Sequence, residues 1–203
     1  MAAGMMGQVD GTFTTEQRDL FASGLVAEIG VSAYAVWSAI KYYADLNTGE
    51  AFPGIRALGD KLGIGKSTVQ RAIETLEAHK MLRIVKSHSK RRGQTYIARE
   101  RLSVRVGSRV LCVIVLDYVP ARMRGKITRL SHSLETGEHD DEAWADVEII
   151  PGPGFEWDAT AGLLRGRVAA SELPAAPAQD DATRQLGASI LARLAPGLSE
   201  KIR

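Results

Sequence analysis

Gly65, Lys66 and Ser67 close the run GDKLGIGKST, residues 59–68. Gly-Lys-Ser ends the pattern G-x-x-x-x-G-K-[ST], in which backbone amides cradle phosphates, the lysine reaches the β and γ oxygens and the hydroxyl ligates Mg²⁺. The spacing speaks against that chemistry. The pattern needs glycine five residues before Gly65, and that position is Asp60; Gly59 stands one residue too early. Each glycine supplies a particular torsion and an approach free of side chain, so a slip of one residue is poorly tolerated. A phosphate loop also follows a buried strand, whereas residues 55–62 read as a helix. Asp117 is the only loose candidate for a downstream Mg²⁺ acid.

The surrounding elements assign the same residues another task. A helix over about Ile55–Leu62 puts Leu58 and Leu62 on its inner face, and a second over about Lys66–His79 places Val69, Ala72, Ile73 and Leu76 at i, i+3, i+4, i+7. Only Gly63-Ile64-Gly65 joins them, which makes a helix-turn-helix unit. Gly63 makes the turn, Ile64 plugs the core between the helices and Gly65 caps the second. Upstream, Thr14-x-x-Gln17 has capping-box form, with Phe21, Leu25 and Ile29 following at helical spacing up to Gly30. Ser32 is the expected N-cap of a further helix carrying Ala33, Val36, Trp37, Ile40, Tyr43 and Ala44. Downstream, MLRIVKS and GQTYIAR read as strands flanking the basic loop HSKRRG, a hairpin in the position of a wing.

Charge is distributed accordingly. Residues 51–105 hold 13 Lys/Arg against 4 Asp/Glu, a local balance of +9, while the whole chain of 203 residues carries only +2. A basic segment on a mildly acidic remainder points to a polyanion. The 45% apolar and 25% charged composition is that of a globular protein. The longest apolar run, Val110–Leu116, is far short of the ~20 residues that span a bilayer, and residues 1–12 lack a signal-peptide pattern. The single cysteine, Cys112, cannot form an internal disulfide, which fits a reducing cytoplasm and a small buried apolar role.

The stretch AFPGIRALGDKLGIGKSTVQRAIETLEAHKMLRIV resembles the winged helix-turn-helix of plasmid and phage replication proteins and of gluconate-repressor-type bacterial regulators. Phe52, Pro53, Leu58, Leu62, Gly63, Thr68, Val69, Arg71, Ala72, Ile73, Leu76 and Leu82 match the family pattern. The upstream helix and Gly-containing turn are similar to the replication-protein branch. Serine usually caps both helices, where this chain has Gly54 and Gly65; the glycine that usually ends the second helix is replaced by Lys80. The resemblance covers residues 14–98 and implies double-stranded DNA as the partner.

In helix-turn-helix geometry the start of the second helix enters the major groove. Lys66, Ser67, Gln70 and Arg71 then face outward, with side chains suited to guanine and adenine edges. Thr68 suits a phosphate or a thymine methyl. Arg56 and Lys61 suit the backbone, and Lys86, Lys90, Arg91 and Arg92 surround the wing; Lys61 and Lys86 are equally able to face water.

After Arg105, RVLCVIVLDYV, RGKITRL, WADVEII and LLRGRV read as strands of a small, mostly-β domain of barrel type. Tyr118, Trp144, Phe155 and Trp157 in it are either core residues or stacking platforms for single-stranded nucleic acid. PAAPAQDDA reads as a linker, and Leu186, Ile190 and Leu194 form a stripe on a short final helix. The expected organisation is α+β: a flexible N-terminus at 1–13, a winged helix-turn-helix at 14–103, the β domain at 104–173 serving dimerisation or partner binding, and linker plus helix at 174–203. His79, His88, His132 and His139 lack metal-ligand spacing, and no nucleophile–base or paired-acid constellation stands out. The expectation is a cytoplasmic, homodimeric DNA-binding protein without metal, cofactor or catalytic residues, either a transcriptional regulator or a replication or partition protein.

Overall fold

The computed structural model describes residues 14–85, 94–138, 140–158 and 163–166. The chain opens with two short helices, α1 (Asp19–Ala22) and α2 (Leu25–Ile29), where one capped helix was expected. Gly24, at φ +79°, breaks them apart, and no side chain caps α1. Leu20, Leu25 and Ile29 are buried, but Phe21 is exposed and meets Tyr34 edge-on at 5.7 Å. Helix α3 (Val31–Tyr42) starts from Gly30 rather than Ser32. It buries Ala33, Val36, Trp37 and Ile40 of the expected stripe, and also Lys41; Tyr43, just past the helix end, is exposed and Ala44 is half-buried.

Strand β1 (Glu50–Ala51) leads to α4 (Ile55–Leu62) and α5 (Lys66–Ala78), both within one residue of their expected bounds. Strand β2 (Leu82–Val85) follows α5, and β3 (Thr95–Val106) returns antiparallel to it. Ile97 of β3 pairs with Arg83 of β2 and with Glu50 of β1, so these two strands occupy opposite edges of β3. The loop of the expected wing, with Lys86, Lys90, Arg91 and Arg92, lies outside the described residues. So do the N-terminal segment 1–13 and the linker and final helix at 174–203.

Strand β4 (Arg109–Asp117) contains the apolar run as expected and folds back on β3 through Gly107-Ser108. β3 is unbroken through residues 103–104, and Leu82 and Ala98 share one core cluster with Ile114, Leu116 and Leu130. The RGKITRL segment is not a strand. It lies within α6 (Pro120–Thr136), whose first residue, Pro120, is pre-set for a helix start. Met123, Ile127, Leu130 and Leu134 fall at intervals of four, three and four and pack on the core, a stripe that a seven-residue window cuts through. WADVEII divides between α7 (Asp141–Trp144) and β5 (Glu148–Pro151). Strands β6 (Phe155–Asp158) and β7 (Leu163–Gly166) form a separate pair. Among the described residues the main sheet is open, ordered β1-β3-β4-β5 with β2 beside β3, so the expected barrel is not closed.

Candidate nucleic-acid interface

The interface is built on the α4–α5 corner. Leu58 of α4 and Val69, Ala72, Ile73 and Leu76 of α5 are buried against one another and α3. Gly59 lies in the crease. A Cβ there would stand 2.8 Å from the Ile64 carbonyl oxygen, so the helix and its own turn touch backbone to backbone. The turn is closed by the Ile64 amide donating to the Gly59 carbonyl at 3.0 Å. Gly63 sits at φ +66°, a left-handed torsion that side chains resist. Ile64 packs against the core as the plug between the helices.

Gly65 holds an extended conformation, φ −68° and ψ 152°, and is the N-cap of α5. Lacking a side chain, it leaves the first amides of α5 without a side-chain acceptor. Those amides carry the positive end of the helix dipole, and Lys66 adds a full charge beside them. The opening stretch is therefore the end of one helix, a turn and the start of another. Helix α4, not a strand, leads into Gly65-Lys66-Ser67, unlike a phosphate loop.

Along α5, Lys66, Ser67, Gln70 and Arg71 are exposed, and Thr68 is half-buried. Among the described residues the Arg71 Nε donates within its own helix, at 3.4 Å from the Ser67 carbonyl oxygen. One turn further, Glu74 and Glu77 are exposed. The outer face is thus basic and polar in its first half and acidic in its second, which confines any polyanion contact to the first two turns. Arg56, on the exposed side of α4, faces Asp60 at 3.8 Å across solvent, a weak contact that leaves its guanidinium available. Lys61 instead has a seat on aromatic rings. Its ammonium lies 4.3 Å from the Tyr42 ring centre and 5.6 Å from that of Tyr43.

Residues 27–82, from α2 to the first residue of β2, match the family model described as a helix-turn-helix domain. Residues 27–82 form a helix-turn-helix domain. No curated protein and no solved structure matches the chain. Among the described residues no helix is long and apolar enough to cross a membrane.

The way the helix-turn-helix ends is a feature that sequence reasoning missed. Lys80 takes the left-handed torsion itself, at φ +57°. The Met81 amide donates to the Leu76 carbonyl at 2.8 Å and the Lys80 amide to that of Glu77 at 3.0 Å, a Schellman motif. Met81 and Leu76 are both fully buried, the apolar contact that accompanies this motif. That apolar residue just past the helix was the available signal. The Lys80 ammonium pairs with Glu148, which also meets Arg99 at 2.8 Å. First the Lys80 contact and then Arg99 hold the Glu148 carboxyl below the usual carboxylate range.

The aromatic residues beyond Arg105 divide. Tyr118 is buried, and Trp144 packs on the core while its indole donates to Ser133 Oγ at 2.8 Å. Phe155 and Trp157 are half-buried on β6, with the Arg109 guanidinium 4.9 Å from the Phe155 ring centre. Tyr118 and Trp144 are thus packing residues.

Proposed function

We propose that this chain is a sequence-specific double-stranded DNA-binding protein, a plasmid- or phage-borne transcriptional regulator that represses as a cytoplasmic dimer by occupying its operator. One observation carries the reading: Lys66, Ser67, Gln70 and Arg71 are presented outward at the start of a helix whose other face is buried in a helix-turn-helix. In such units this part of the helix lies in the major groove. Lysine or arginine bonds guanine O6 and N7, and glutamine bonds adenine N6 and N7. The uncapped amides at Gly65–Ser67 and the exposed Arg56 suit phosphates, which set orientation without reading sequence. The acidic second half of α5 favours a shallow approach. The proposal includes no catalytic step.

The test is a footprint of the full chain on DNA flanking its own gene, followed by Arg71→Ala. Protection of an inverted repeat supports a dimeric regulator. If Arg71 reads a base, its loss costs ~1–3 kcal/mol on the protected site and less on random DNA; equal loss on both makes it a phosphate contact. A second reading, replication initiation, is favoured by α3 and the turn before Phe52-Pro53. Asp45 accepts there from the amides of Asn47 and Thr48 at 3.0 and 2.9 Å. That reading requires protection of tandem direct repeats.

A further inference from the structure

The sheet has a face that the helix-turn-helix does not cover. Residues opposite one another across a ladder share a face, and Arg83 pairs with Ile97 while Arg99 pairs with Asp117. These four therefore lie together, on the side away from Leu82, Ala98 and Glu100. Between them and α6–α7 lies a cleft of about 800 Å³, within the range of small-molecule sites.

Its walls have a sign. Arg83 and Arg99 line the sheet wall, and Arg122, Lys126 and Arg129 line the α6 wall, against Asp117, Glu142 and Asp146. Most of these cations are already neutralised. Arg83 and Arg99 share Asp117, and Arg129 grips Asp140 at 2.6 and 2.7 Å and also contacts Glu142. Arg122 and Lys126 differ. Among the described residues their hydrogen bonds run to backbone carbonyls, Arg122 to Asn47 at 3.2 Å and Lys126 to Ala145. Four residues apart, they project from one side of α6. Lys126 is half-buried, and burial lowers its pKa against the opposing pull of Asp146 and Asp117. Ile97, Val119 and Met123 supply an apolar floor.

We propose that this cleft binds a small multivalent organic anion, a phosphate ester or polycarboxylate, whose charged end docks between Arg122 and Lys126. The body of the ligand lies on Met123 and Ile97, and Arg83 and Arg99 face it from the sheet. The site is separate from the outer face of α5 and does not depend on the DNA-binding proposal.

Calorimetric titration of the full chain tests it, with pyrophosphate and citrate as separate probes at ionic strength held constant with sodium chloride. Saturable binding of at least one probe is expected. It weakens about tenfold or more in Arg122→Gln/Lys126→Gln, as the loss of charged hydrogen bonds requires, and persists in Arg124→Gln, an exposed α6 residue outside the cleft. Preference for pyrophosphate identifies a phosphate site, and preference for citrate a carboxylate site. Should the double variant unfold, Arg122→Gln alone must still weaken binding. Absence of saturable binding to either probe overturns the proposal, as does equal loss in Arg124→Gln. A third outcome does so too: unchanged probe binding in the double variant, with a duplex-DNA salt slope lower by ~2, makes this wall a DNA-backbone surface.

Discussion

Lys41 Nζ lies 2.6 Å from Glu100 Oε1, and both side chains are essentially inaccessible to solvent. The ammonium stands 4.1 Å from the Trp37 ring centre and 4.3 Å from that of Tyr118, and it also donates to the Thr15 carbonyl. The Trp37 indole donates to the Arg99 carbonyl at 3.2 Å. This buried pair ties α3 of the helix-turn-helix to the middle of β3, the strand that continues into the rest of the molecule. Burial drives the Lys41 pKa down and that of Glu100 up, each partly offset by the other's charge.

Breaking the pair from one side strands a charge in the core. Lys41→Met is expected to destabilise the chain by ~3–5 kcal/mol, and Lys41→Met/Glu100→Leu by much less than the sum of the two single changes. Urea unfolding at neutral pH measures both. Additive losses would show that the two groups do not sense each other.

At Lys80 the expected order of helix propensity inverts. Lys80→Ala and Lys80→Gly both remove the contact with Glu148, but only glycine adopts φ +57° without strain. The glycine variant is expected to be the more stable by ~1 kcal/mol. An alanine variant of equal stability would remove the strain argument.

Gly59 lies inside α4, where glycine is ordinarily a weak choice. Gly59→Val places side-chain atoms against the Ile64 carbonyl, 2.8 Å from the position of a Cβ. The corner must then open, at a cost of ~1–3 kcal/mol or more. A thermal melt reads the loss, and DNA affinity falls with it if the α4–α5 angle sets the docking of α5. Unchanged stability and binding would contradict this account of the crease.

Acid stability has a contribution from Glu148. Its pKa is depressed in the folded chain, so its stabilisation is present above the unfolded value, near 4.5, and is lost as pH falls through the folded value. Glu148→Gln is expected to flatten the loss of stability below about pH 4.5 while lowering stability at pH 7. Parallel acid limbs for variant and wild type would locate the acid sensitivity elsewhere.

The helix-turn-helix was legible because its signals are local. Leu58, Leu62, Val69, Ala72, Ile73 and Leu76 repeat within one or two turns, and Gly63 and Gly65 mark the ends on either side of Ile64. Apolar period and terminus chemistry need no distant partner to be read. The near-match to a phosphate loop failed on the same local grounds, one residue of spacing and the missing strand. Helix α6 was misread for a related reason. RGKITRL holds only two large apolar residues, Ile127 and Leu130, too few to fix a period, and only the longer run from Pro120 through Leu134 reveals it. At Lys41 a signal existed without an explanation. The residue follows Ala33 and Trp37 at intervals of four on the buried stripe, yet nothing nearby says what would neutralise it.

By itself the sequence determined the corner of α4 and α5, the residues that α5 turns outward, and the concentration of positive charge around them. Tertiary structure decided that Lys41 meets Glu100, 59 positions away, and that β3 runs without interruption from the helix-turn-helix into the sheet beyond it. It also decided that Arg122 and Lys126 face Arg83 and Arg99 across a cleft. Helix period and caps arise from contacts within a few residues, where the chain order is itself the geometry. The pairing of charges across a core or a cleft depends on which distant segments the sheet brings together, and on the burial that makes an unmatched charge costly.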